Sequence, residues 1–289
     1  LLSYEGTWAA VFAVLAIISG LALLSRHWQY TWRGRPLWAG AVGAVLAADL
    51  LIAAWGFAPA ADPAVLVYEP PSAAFLRQDA TLWRLTSYAP TGAEPYHANL
   101  PWLFRFQDIR GYDSLFSKQY ADYMGLIQPQ YQLDFNRIAP LNDPLALDSP
   151  LLDLLNVKYV VSVVPIDNPK YELVYDDEVR IYRNATVMPR AFTLPVTATI
   201  ETDELARTIL TYDPRRYVLV APGDAPDAGE SQTAPRGAEA GVATVTSYAG
   251  NEVWVDTAPI ERSWLILGDT YADGWRAYAR PIGGDESSE

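Results

Sequence analysis

The sequence predicts a membrane α-helical hairpin followed by an α+β extracytoplasmic domain whose C-terminal part is β-sandwich-like. Three observations lead there. Two apolar stretches occupy the first 61 residues, a loop rich in arginine separates them, and residues 62–289 are acidic and water-compatible. The first stretch, 7–24 (TWAAVFAVLAIISGLALL), has no charged residue. At 1.5 Å per residue it would extend about 27 Å as a helix, close to the thickness of a bilayer core. The second, 37–61, carries a single charge, Asp49. The loop 26–36 holds Arg26, Arg33 and Arg35 and no acid, which favours the cytoplasmic side. Residues 62–289 are then expected outside the membrane. Trp28, Tyr30, Trp32 and Trp38 cluster near the loop, where amphipathic rings favour the headgroup level. A signal peptide would need one apolar core and a cleavage site, and here a second apolar run follows a basic loop. A buried helical hairpin in a soluble chain is the alternative.

The chain has 289 residues and a net charge of −13. Setting aside Arg26, Arg33, Arg35, Glu5 and Asp49 leaves −14 on residues 62–289. Such a charge disfavours nucleic acid or anionic lipid as a partner through bulk electrostatics, while leaving room for a local basic groove. There is no cysteine, so disulfides and thiolate metal sites are excluded. The core of the external region must come from side-chain packing, to which 10 Trp, 18 Tyr and 8 Phe contribute. The chain begins with Leu1 at the edge of an apolar run, and we expect it to be a piece of something longer.

Residues 62–220 read as a mixed α/β domain. Pro70 and Pro71 stop any helix, and Ser72 is placed to cap a short one over 73–78. The run 81–88 (TLWRLTSY) suits a strand, and 89–150 has no clean period and reads as loops with short helices. Helix then buried strand is expected over 150–165, from Leu151, Leu152, Leu154 and Leu155 followed by the β-branched run 157–164. Alternation on both sides of Asp176-Asp177 predicts a hairpin. A short helix near 202–210, with Thr202 as its N-cap, is flanked by strands. Residues 221–241, built from Ala, Pro, Gly and acids, read as a linker or long loop. The remainder, 242–289, reads as a hairpin turning at Ala249-Gly250-Asn251 and two strands across Asp273-Gly274, a sandwich short of the strands that would close it.

Chemistry-bearing residues are sparse. His27 and His97 fall on opposite expected sides of the membrane, so no histidine-based zinc site or Ser-His-Asp arrangement assembles from them, apart from a mixed carboxylate site around His97. No phosphate-binding glycine motif is present. Asp108, Asp113, Asp122, Asp134, Asp143 and Asp148 scatter through the loop-rich segment, and a pair of them could hydrolyse a glycosidic bond if they converged. Asp49 breaks the apolar pattern of its run. It is a candidate membrane polar site, or else a packing contact between helices.

Four segments, 99–120 (NLPWLFRFQDIRGYDSLFSKQY), 151–162 (LLDLLNVKYVVS), 171–192 (YELVYDDEVRIYRNATVMPRAF) and 263–278 (SWLILGDTYADGWRAY), resemble the extracytoplasmic region of the YfhO family of bacterial membrane proteins, which are similar to C-class glycosyltransferases. Asp49 in Ala48-Asp49-Leu50 also looks like that family's pattern. The resemblance implies a multi-span enzyme of the bacterial cell membrane. It would move sugar from a polyprenyl-phosphate carrier, its donor, to an envelope glycopolymer such as teichoic acid, with the lipid bilayer as a further partner. Enzymes of this kind place their catalytic acid in an early external loop that this chain lacks, so no catalytic residue carries over, and neither a metal nor a further cofactor is indicated. Gly111, Tyr112 and Asp113 are the candidate acceptor-facing residues, since glycine permits close approach, tyrosine stacks on sugars and aspartate accepts hydroxyl protons. A turn packed by Tyr112 is the alternative. A non-catalytic, membrane-anchored glycan-binding or scaffolding domain is the rival function, and a polysaccharide hydrolase a second.

Overall fold

The computed structural model describes residues 4–24, 27, 30–54, 62–113, 115–211, 213–224 and 240–281, in two units, Leu1–Tyr68 and Glu69–Glu289. In the first unit, helices α1 (Tyr4–Leu24) and α2 (Leu37–Ala54) form where the apolar runs lie. A hairpin of strands β1 (Thr31–Trp32) and β2 (Arg35–Pro36) joins them. Its turn residues Arg33 and Gly34 have φ of 51° and 77°, the left-handed pair that a two-residue hairpin needs. A short helix α3 (Ala64–Val67) follows.

The membrane hairpin expected over 7–24 and 37–61 is corrected here. Among the described residues no helix is long and apolar enough to cross a membrane. Helix α2 has 18 residues, about 27 Å, and holds Asp49. Helix α1 begins across Glu5, and its apolar run is broken by Thr7, Ser19 and Gly20. Both fall short of about 20 consecutive apolar residues matched to a ~30 Å core. Residues 55–61 of the expected second span lie outside the described residues.

The second unit is α+β, with two main sheets. Its elements run α4 (Pro71–Leu76), β3 (Arg84–Tyr88), α5 (Leu100–Leu103), β4 (Gln107–Asp108), α6 (Lys118–Ile127), α7 (Pro150–Leu154), β5 (Val157–Ser162), β6 (Tyr171–Asp176), β7 (Arg180–Asn184) and β8 (Ala191–Pro195). Then come β9 (Thr199–Glu201), α8 (Leu205–Thr208), β10 (Val218–Val220), β11 (Gly241–Tyr248), β12 (Val253–Thr257) and β13 (Ser263–Leu267). The first sheet has the order β4-β3-β5-β7-β6, parallel across β4, β3 and β5 and antiparallel beyond. The period of two in its strands sends Leu85, Tyr159, Val161 and Ile181 to one apolar cluster and Tyr88, Val160 and Tyr182 to another, so it is buried on both faces. Helix α6 gives Met124 and Ile127 to the second cluster, and α7 gives Leu151 and Leu152.

The other sheet, β12-β11-β8-β13, replaces the expected C-terminal sandwich. Strands β11 and β13 both pair antiparallel with β8, from the middle of the chain, and no strand is described beyond Leu267. Its buried cluster is small, built on Met188, Phe192 and Leu194. Local details also differ from expectation. Helix α4 starts on Pro71 at its first turn, and Ser72 lies inside it with its hydroxyl on Tyr96. Helix α8 is capped from Glu204, while Thr202 Oγ1 accepts from the Glu204 amide.

Leu85 is wholly buried in the cluster against α4. Leu85→Ala is expected to lower unfolding free energy by about 3 kcal/mol, read from the urea midpoint. Burial pushes the Asp79 carboxyl up, but hydrogen bonds from Lys158, Thr81 and Tyr159 outweigh it and hold the group at about 2, against an ordinary 3.8. The stabilisation is therefore complete above about pH 4 and is lost as pH falls through 2. With solvent screening it amounts to about 1 kcal/mol. Thermal melts of wild type and Asp79→Asn should converge over that interval; a constant gap would contradict the assignment.

Candidate functional site

A cleft of about 220 Å³ opens where the start of the first sheet meets the end of β13. Arg84, the first residue of β3, forms one side with the carbonyl of Leu155, and Gly268 and Thr270 close the other. The segment after β4 supplies Ile109, Arg110 and Gly111, with the rings of Phe116 and Tyr120 over them. At 268 a Cβ would fit tightly against backbone, 3.0 Å from the Leu154 carbonyl oxygen and 3.4 Å from that of Arg190. At 111 a Cβ would meet the Phe116 ring at 3.3 Å.

Two polar clusters hold these walls. In one, Arg110 is buried and spends four of its five donors. Nε and Nη2 donate to Asp108 at 3.0 and 2.6 Å, Nη2 also to the Tyr96 carbonyl at 2.9 Å, and Nη1 to Glu94. Arg137 donates to the other Glu94 oxygen at 2.5 Å. Asp108 Oδ1 also accepts from the Arg110 amide two residues on, the local turn that aspartate favours. Burial pushes the Asp108 carboxyl up against the pull of Arg110.

In the other cluster, Asp269 accepts from Arg84 Nη2 and from the Tyr248 hydroxyl, and stands 3.5 Å from Arg190 Nη1. Arg84 Nη1 donates to the carbonyls of Leu155, at 3.1 Å, and Gly268, at 2.5 Å. Arg190 Nη2 donates to Gln107 and Asn156 at 2.8 and 3.2 Å, while its Nε and Nη1 have no hydrogen-bond acceptor among the described residues. The Tyr248 ring lies 5.1 Å from that guanidinium. Burial, and then the charge of Arg84, push the Arg190 guanidinium below its ordinary value. Asn156, at φ 61°, takes the left-handed position that ends α7, and its carbonyl accepts from the Arg84 amide.

Of the residues singled out from sequence, Gly111 lines the cleft. Tyr112 is exposed, its amide and carbonyl both bonded to the Asn99 side chain, and the Asp113 amide donates to the Asn136 carbonyl. Neither lines the cleft. Asp49 is half-buried on α2 in the first unit. Of the scattered aspartates only Asp108 reaches the cleft. Asp143 caps the turn at Leu145, Asp148 holds Asn168, and Asp122 pairs with Lys118. No second carboxylate lines the cleft among the described residues, so the pair that glycoside hydrolysis requires is not brought together there. No group of metal-ligating residues occurs among the described residues either. Burial pushes the Tyr120 and Tyr248 phenols up, keeping both as protonated donors. What the cleft offers is fixed donors, an aromatic wall and close backbone approach, the equipment of binding.

The sequence reading missed Arg84, Glu94, Arg110, Arg190 and Asp269. The available signal was a charge inside an apolar alternation, as at Arg84 within LWRLTSY and Arg190 before AFTLP. No family model, curated protein or solved structure matches the chain.

Arg110→Met would leave Glu94 and Asp108 buried without their shared cation. Loss of about 3–5 kcal/mol of stability is expected in denaturant unfolding.

Proposed function

We propose that this chain is a glycan-binding, acceptor-positioning part of a bacterial envelope glycosyltransferase, with bond formation carried by other parts of the enzyme. On this reading the donor is a polyprenyl-phosphate-linked sugar, the acceptor is an envelope glycopolymer, and the second unit works outside the cytoplasm. One observation carries it: three of the four segments that resemble the YfhO family line one cleft, and the fourth stands behind its wall. Segment 99–120 gives Ile109, Arg110, Gly111, Phe116 and Tyr120, and 151–162 gives Leu155. Segment 263–278 gives Gly268 and Thr270, and 171–192 gives Arg190 beside Asp269. Segments separated by up to about 170 residues thus supply a single surface, as a shared ligand would require.

The chemistry fits a sugar. Hydroxyl groups need fixed donors and acceptors beside an apolar ring face, and the cleft has the Phe116 ring, the Tyr120 hydroxyl and the Thr270 side chain. The cleft's single carboxylate among the described residues, held by Arg110, favours binding over hydrolysis.

Calorimetric titration of the chain with envelope polysaccharide fragments tests the proposal. Saturable binding is expected, weakened by about 1–2 kcal/mol in Phe116→Ala. No binding, or binding indifferent to Phe116, would overturn it.

A further inference from the structure

The charges around the cleft do not balance. Arg84 and Arg110 line it, and Arg137 and Arg190 stand behind them in the same ion-pair clusters. Against these four guanidinium groups stand three carboxylates, Asp108, Glu94 and Asp269. His97 lies 3.5 Å from Glu94 and adds no negative charge. A positive surplus thus sits in a chain whose net charge is −13. It is concentrated where Arg84 and Arg190 share Asp269. In this hub Arg190 has two donor atoms without an acceptor among the described residues, and the side chain is only 1% exposed. Arg84 uses three of its five on described residues. Burying an unbalanced guanidinium is costly, and an anion arriving from solvent would recover part of that cost.

We infer that the cleft is an anion subsite, taking a carboxylate or phosphate group at its Arg84–Thr270 side. Arg84 supplies the direct charge-assisted donors, and Arg190 behind Asp269 supplies long-range positive potential. Arginine suits the task because its planar fork matches both oxyanions. The inference deepens the glycan-binding reading, for it makes the acceptor an acidic saccharide or a phosphate-bearing polymer. It rests on that reading only for the molecule that carries the anion.

The test is an amide-resolved NMR titration of the full 289-residue chain with inorganic phosphate, glucuronate and glucose at matched ionic strength. Saturable shifts at Gly111, Gly268 and Thr270 are expected with an anion and not with glucose. Phosphate alone or glucuronate alone would identify which oxyanion the subsite takes. Thr270 is exposed at the rim, so its substitution should leave the fold intact. Thr270→Glu should weaken anion binding by about tenfold or more through like-charge repulsion, while Thr270→Gln should not. Glucose binding as well as glucuronate would sink the anion subsite and spare the glycan reading. Phosphate binding by a chain that takes up no envelope polysaccharide fragment in calorimetry would keep the subsite and remove the glycan reading. No response to any of the three, or an unaltered response in Thr270→Glu, would overturn the inference.

Discussion

Arg84 and Arg190 converge on Asp269, and through that contact the two main sheets are joined. Arg84 opens β3, Arg190 precedes β8, and Asp269 follows β13. The donors of Arg84 also hold the Leu155 and Gly268 carbonyls, and those of Arg190 hold Gln107 on β4 and Asn156 before β5. Five segments are thereby fixed at one point. The apolar cluster of the second sheet is small, with Phe192 and Leu194 as its main bulk, so this polar junction bears more of the alignment than it would in a thicker core. Such an arrangement specifies geometry better than it stabilises. Like charges brought together in a low-dielectric interior repel, and the desolvation of three ions offsets much of the Coulomb attraction.

That constraint explains what could be read in the sequence and what could not. Segments whose burial is set by a local period were legible. Leu151 and Leu152 on α7, the β-branched run of β5, and the alternation around Asp176-Asp177 each encode one face against one core, and the elements form there. The turn at Ala249-Gly250-Asn251 likewise closes a hairpin, with the Ala249 amide on the Glu252 carbonyl. Arg84 and Asp269, by contrast, are 185 residues apart and carry no periodic signal that links them. The same holds for the pairing of β8 with β11 and β13, which depends on a register set from across the chain. Of the three residues named as acceptor-facing on the family resemblance, Gly111 lines the cleft. Tyr112 was drawn in by its chemistry, but its backbone serves a turn with Asn99. The two apolar runs were legible as helices, while their length and the charges of Glu5 and Asp49 decide against spans.

Net charge and local charge answer different questions here. The −13 of the whole chain governs long-range encounter and disfavours polyanions at a distance. Within a Debye length of the cleft, about 8 Å at physiological salt, the arginines of the two clusters dominate instead.

The engagement of the side chains also bears on chemistry. A general acid or base must be free to exchange its proton with a reacting group, within hydrogen-bond reach of it. Asp108 is locked by Arg110 through three contacts, and Tyr120 donates to the Ile109 carbonyl. Glu94 is shared between two arginines. Every candidate for proton transfer at the cleft is thus committed to holding its wall in place, and freeing one would leave a buried arginine or carbonyl unpaired. Groups so committed serve the geometry of the cleft first. Their engagement therefore weighs against proton transfer by these groups and in favour of a wall whose positions are fixed.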